Sequence, residues 1–350
     1  METEIIREIK EVLDSDKLSG FRGDVGLTEG GPNVQRLEAS FRDYFNIKHA
    51  IAFNSATAAL HAACEALKID VVIVTPFSFT SSVSCVRQAA GYPLFQDINP
   101  HTYCMDVTNQ NSNSDFADAI IPVHLFGGCA DMDAIMSLGI PVIEDAAQAI
   151  GSKYKGKLAG TIGDCGIFSF NQSKTISCGE GGMLITNDGN IAYMAKLVRN
   201  HGELLDYKAD IVGYNYRMTE IEAIITYNRF LKLDEIIEQR KENVEYFRKL
   251  LLEIDEVKPQ WINPDVDYSW YVYSFEIDNN HEIASGMTKA GIPLRGGYIT
   301  QPLNIVYNQV CPVCEKLWSD RLIVTDVIGK DTASIDNFVN TLKGVINGYI

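Results

Sequence analysis

Apolar positions fall into two kinds of pattern along the chain. Near the start, Ile5, Ile6, Ile9, Val12 and Leu13 share one helical face with acids on the other, which predicts a helix and then a loop ending in Ser19-Gly20. Val34, Leu37, Phe41 and Tyr44 repeat that spacing and predict a helix over 33–45, after an irregular glycine-rich stretch at 23–32. Short β-branched or aromatic runs at 49–53, 71–75, 119–123, 140–143, 165–170 and 183–186 read as buried strands. Helical segments lie between several of them: an alanine-rich one opening at Ser55, a short one at Asp131 and one over 188–199. Strand alternating with helix implies parallel strands with right-handed crossovers. Thr219 and Glu222 form a capping box, and a long helix is expected through Leu233 and on toward Leu251. Beyond it come an aromatic strand at 268–277, a helix at 281–290 and a strand at 292–298. The expected organisation is therefore α/β in two parts: a large domain over 1–235 with an N-terminal helix, and a smaller C-terminal α/β domain over 236–350.

Composition narrows the class. In 350 residues, 46% are apolar and 22% charged, as in ordinary globular proteins able to bury a sizeable core. Lys and Arg number 30 against 46 Asp and Glu, a formal charge of −16, and no basic cluster is visible. Such a surface repels nucleic acid and anionic membranes, because phosphate affinity comes mainly from clustered cations. The N-terminal segment lacks the basic start and continuous apolar core of a secretory signal, and no apolar run is long enough to span a bilayer. A cytoplasmic location is expected. Among the 8 cysteines only Cys311-Pro-Val-Cys314 has ligand-like spacing. One such pair without a second is read as structural, and no metal is expected. The polar run at 108–114 reads as a loop.

The chemistry concentrates in residues 142–186. Two apolar runs there end in polar residues, which places those residues at the carboxyl edge of a sheet, where open α/β folds bind ligands. Asp145 comes first and Lys174 last. Pyridoxal phosphate needs a lysine to form a Schiff base and an acid to keep its ring nitrogen protonated, and this pair fits both tasks. Gln148 lies one helical turn past Asp145, within reach of a ring hydroxyl, and Ser169 offers a hydroxyl for the phosphate. Gly179, Gly181 and Gly182 let the backbone pass close to a bound ring. Earlier in the chain, Ala56 and Thr57 open the alanine-rich helix, where backbone N–H groups and the helix dipole suit a phosphate; a plain N-cap by Ser55 is the alternative reading. His124 follows the 119–123 strand at the same edge, as a structural hydrogen-bonder or a substrate contact.

The wording E-D-A-A-Q, then S-F-x-x-x-K, then G-E-G-G resembles the DegT/DnrJ/StrS group of pyridoxal-phosphate-dependent sugar aminotransferases. The resemblance implies an aspartate-aminotransferase-like fold, with a mostly parallel, seven-stranded-type sheet flanked by helices and a smaller C-terminal domain. It also implies that Gly31-Pro32-Asn33-Val34 packs near the active site and that Phe79 stacks on the cofactor ring. Asn215 is implied to cross a homodimer interface and bind the phosphate in the neighbouring subunit, with Arg295 and Tyr298 near the substrate. L-glutamate is the implied donor and a keto-sugar, nucleotide-linked, the implied acceptor. Two departures stand out. Ala56 replaces a usual glycine without removing a donor, and Gly297 stands where many members have histidine. Gly297 and the lean loops leave open a non-nucleotide sugar or a small phosphorylated ketone as acceptor, and a regulatory protein that holds the cofactor without turnover is a further alternative.

Overall fold

The computed structural model describes residues 2–21, 29–108, 116–203, 208–298 and 301–348. Most of the expected loop at 108–114 and of the glycine-rich stretch at 23–32 lies outside them. The chain opens with α1 (Glu2–Ser15) and α2 (Pro32–Phe45). It then alternates through β1 (His49–Phe53), α3 (Ala56–Leu67), β2 (Val71–Val74), α4 (Ser81–Gln88), β3 (Tyr92–Phe95), β4 (Ala119–Ile121), α5 (Met132–Met136) and β5 (Ile143–Asp145). A small hairpin, β6 (Lys153–Tyr154) and β7 (Lys157–Leu158), precedes β8 (Cys165–Ser169), β9 (Gly182–Thr186) and α6 (Gly189–Arg199).

These strands form one continuous sheet in the order β3-β2-β4-β5-β8-β9-β1. Its two hydrogen-bonded halves, β3-β2-β4 and β1-β9-β8-β5, meet where Ile120 pairs with Val142 and Val123 with Asp145, both in parallel. The sheet is mostly parallel, as expected, but β9 runs against both neighbours. Strand β5 starts and ends later than the apolar run suggested; Asp145 N–H donates to Pro122 O and carries the ladder through the acid itself.

Helix α3 lies on this sheet with Ala58, Ala59, Ala62 and Ala63 buried, small side chains that let backbones approach closely. On the other flank, Phe41 of α2 stacks on Phe230 at 4.3 Å and meets Phe168 and Phe170 of the sheet region at 5.9 and 5.6 Å. Phe230 ends α7 (Glu220–Phe230), whose Thr219–Glu222 capping box is present. Helix α2 has no side-chain cap of its own. Buried Glu220 supplies one from a distance, accepting from Asn33 N and Nδ2 at 2.9 Å each and from Val34 N at 3.3 Å.

The expected continuous helix to Leu251 is two helices. Helix α7 ends on α2, and after Leu231 and Lys232 the chain turns into α8 (Leu233–Leu251), whose Val244 and Phe247 pack with Tyr273 and Phe338. This end of the chain is built on a second sheet of β10 (Lys258–Pro259), β12 (Tyr273–Glu276) and β13 (Leu322–Thr325), with α9 (Asn280–Lys289), α10 (Pro312–Asp320) and α11 (Thr332–Ile346). The intervening β11 (Val266–Asp267) pairs instead with β6. Two predicted strands are corrected. The 268–277 run is extended only from Tyr273, because Trp270 sits in the left-handed region at φ +54°. Residues 292–298 form no strand; Pro293 lacks a ladder donor, Gly297 has φ +76°, and a lone bridge from Gly296 to Ile323 remains.

Glu220→Ala leaves donors at the start of α2 without partners in a buried setting. It is expected to lower unfolding free energy by about 1–3 kcal/mol in denaturant titration, with Glu220→Gln losing less.

Candidate functional site

In the sheet's central register, Phe53, Gly182 and Ser169 sit side by side. Strands β1 and β8 therefore end at the same edge, the first running into the start of α3 and the second into the loop that carries Lys174. Asp145 ends β5 beside β8 at that edge. The sheet thus delivers a helix start, an acid and a lysine to one place.

A cavity of about 170 Å³ lies there. Ala56, Thr57, Phe79, Asp145, Gln148, Ser169 and Lys174, seven of the eight residues expected to hold the cofactor, line it together with Tyr298. Asn215 does not. It is exposed on a strap that pairs with Asn200 and is tied to Asn54, whose N–H donates to Tyr216 O at 2.9 Å. His124 does not line the cavity either. It is buried behind it, donating from Nε2 to Glu144 at 2.8 Å while Nδ1 accepts from Ala130 N–H, so both ring nitrogens serve the fold. Glu144 also accepts from the backbone of Gly160, Ile162 and Gly163. Arg295 is exposed and lines a separate hollow with Tyr298.

Asp145 is buried with both oxygens partnered. Ser82 Oγ donates to Oδ2 at 2.7 Å and Ala147 N–H to Oδ1 at 3.1 Å. Gln148 is committed on both sides, its Oε1 accepting from Phe126 N–H at 3.1 Å and its Nε2 donating to the Tyr298 hydroxyl at 2.9 Å. The amine of Lys174 lies 4.4 Å from the centroid of the Tyr271 ring. Burial pushes its pKa down to about 8, against a partial upward pull from Asp145.

Ser82 and Tyr271 of this set were not foreseen. Ser82 follows F-S-F-T, and the only sequence signal for it was a hydroxyl near the start of α4. Tyr271 belonged to the predicted aromatic strand, whose bend at Trp270 has no local signature. Asn171 and Glu180, joined at 2.8 Å, complete a polar rim.

The donor set suits a flat aromatic phosphate ester. Ala56 and Thr57 occupy the first turn of α3, where backbone N–H groups point outward and the helix dipole favours an anion. A Cβ on Gly182 would stand 2.5 Å from both Ala56 N and the Ser55 carbonyl, so β9 runs hard against that turn. Phe79, half exposed at 49%, offers an aromatic face to the cavity that also holds the buried acid.

The description "DegT/DnrJ/EryC1/StrS aminotransferase family" matches residues 1–340. A pleiotropic regulatory protein of Geobacillus stearothermophilus is 34% identical over 305 residues, covering 83% of this chain and 79% of that one. A GDP-perosamine synthase of Caulobacter vibrioides is 38% identical over 237 residues, covering 64% and 63%. Among solved structures, an aminotransferase from Brucella abortus superposes with a TM-score of 0.88 at 26% identity, covering 98% of this chain and 95% of that one.

Gly182→Ala places a methyl group against the first turn of α3. Affinity for pyridoxal phosphate, read by absorbance titration, is expected to fall at least about tenfold with secondary structure retained.

Proposed function

The chain belongs to the DegT/DnrJ/EryC1/StrS aminotransferase family, whose pyridoxal-phosphate-dependent members aminate sugars, and from that premise we propose that it moves the amino group of L-glutamate onto a nucleotide-linked keto-sugar. The observation that carries this reading is the convergence of Lys174, Asp145 and the start of α3 on one cavity. The similarity to a protein named GDP-perosamine synthase supports a nucleotide-linked acceptor. The name pleiotropic regulatory protein, borne by another relative, keeps binding without turnover as the competing reading.

Bound in the cleft, pyridoxal phosphate supplies an aldehyde that takes up the amino group and a ring that draws electrons from the adjacent carbon. Ala56, Thr57 and Ser169 would hold the phosphate. Phe79 would pack on the ring face, and Asp145, oriented by Ser82 and Ala147, would hold a proton on the ring nitrogen. Lys174 Nζ, when neutral, accepts the proton leaving the donor's α-carbon and later returns one to the product carbon. Phe77, Phe126 and Tyr298, packed within 5.2–6.2 Å of one another, shield this end from water. Asn215 is exposed and does not line its own cavity, which supports a homodimer in which it completes the neighbouring site. A cytoplasmic location accords with nucleotide-linked substrates, and among the described residues no helix is long and apolar enough to cross a membrane.

Lys174→Ala is expected to abolish the cofactor's lysine-linked absorption band and lower turnover by at least about 10³-fold. Near-native cycling in that variant would refute the role. Pyridoxamine formation from glutamate excludes the regulatory reading, and tight binding of GDP, UDP or dTDP supports the nucleotide linkage.

Because burial lowers the Lys174 pKa to about 8, its neutral, proton-accepting fraction grows as pH rises through that value. The half-reaction with glutamate is expected to climb with a midpoint near there, well below the ordinary lysine value of about 10.4.

Mixing inactive Lys174→Ala and Asn215→Ala proteins tests the shared site. A heterodimer then contains one cavity with both residues intact, so activity should return; no recovery after subunit exchange argues against the crossing.

A further inference from the structure

The segment 268–272 leads from the edge of the large sheet into β12, and several devices hold it there. Gly127, at φ +87°, admits it: a Cβ would stand 2.5 Å from both Trp270 N and Tyr271 N. Ser269 N–H donates to Gly127 O at 3.1 Å, and Trp270 stacks on Tyr268 at 4.4 Å. Arg240 of α8 donates to the carbonyls of Trp270 and Tyr271 at 3.0 and 2.9 Å and pairs with Asp326 at 3.1 Å. All of this fixes the backbone beneath one side chain, Tyr271.

The Tyr271 ring is buried and lines the cavity with its face 4.4 Å from Lys174 Nζ. Its hydroxyl lies 3.1 Å from the Ser173 hydroxyl, so the residue next to the lysine also anchors the ring. Ser173 Oγ is in turn 3.1 Å from Asn171 Oδ1, within the rim that holds Glu180. Across the cavity the lysine faces the titratable groups Asp145, Glu180, Tyr271 and Tyr298. Of these, the aromatic face acts on a cation without adding charge to a site that must also admit an anionic donor.

We propose that Tyr271 is a positioning residue for Lys174: its ring face seats the protonated amine, and the Arg240–Asp326 clamp sets where that face lies. The inference rests on Lys174 being the working amine. A ring quadrupole favours the charged over the neutral amine, so it raises proton affinity where burial alone depresses it. It also restricts the flexible lysine stem.

The test replaces Tyr271 in the full-length protein with phenylalanine and then with phenylalanines carrying successively more ring fluorines, which weaken the quadrupole at nearly constant shape. The protonation midpoint of Lys174 is read from its isotope-labelled Cε resonance, assigned by its loss in Lys174→Arg. Tyr271→Phe should hold the midpoint, and the fluorinated series should lower it stepwise by about half a pH unit overall, about threefold in the protonation equilibrium. Tyr271→Leu should lower it as well. An unmoved midpoint across the series overturns the inference. Cofactor capture by the unmodified protein, followed separately by absorbance, judges the proposed function, so the two can fail independently.

Discussion

The site depends on a steric constraint in the middle of the sheet. Gly182 lies in register between Phe53 and Ser169, and its missing side chain is what lets the first turn of α3 settle onto β9. With any larger residue there, the helix start would be pushed off β9. The reversed direction of β9 belongs to the same arrangement. It allows β1 and β8 to end together and lets the glycine-rich turn after Lys174 fold back between them.

Around that constraint, the two buried acids of β5 are fully partnered. Asp145 is held by a serine and a backbone N–H, and Glu144 one residue earlier accepts from His124 and three backbone groups. Neighbouring acids in one strand therefore have separate tasks, one facing the cavity and one stitching the 160–163 turn to the sheet. Leaving either without donors would cost desolvation energy that a buried carboxylate does not recover. The lysine is different in kind: burial lowers its proton affinity, and it meets an aromatic face.

The chain beyond α8 supplies what the large sheet lacks. Tyr271 and Tyr298 both come from beyond α8 and close the cavity over the edge, one against the lysine and the other against Gln148. The two halves of the chain thus share one site. Their meeting is governed by a close backbone contact at Gly127 and by the guanidinium of Arg240, neither of which carries any chemistry itself.

Much of this was legible along the chain. Apolar runs located six of the seven strands of the sheet, because burial on both faces demands continuous β-branched and aromatic residues; the edge strand β3, with Tyr92 exposed and Pro93 inside it, carried no such run. Caps located helix starts at Ser55, Asp131, Asp188 and Thr219, because local hydrogen bonds need only local residues. Spacing at strand ends pointed to Asp145 and Lys174. What the sequence could not express were relations across long separations: Glu220 capping α2, Ser82 holding Asp145, His124 turned to Glu144, and Tyr271 bent onto Lys174. Each depends on where another segment docks, and the left-handed turn at Trp270 or the break after Leu231 is favoured by packing rather than by propensity. Local chemistry determined which residues were equipped for the reaction, and tertiary packing alone decided which of them meet.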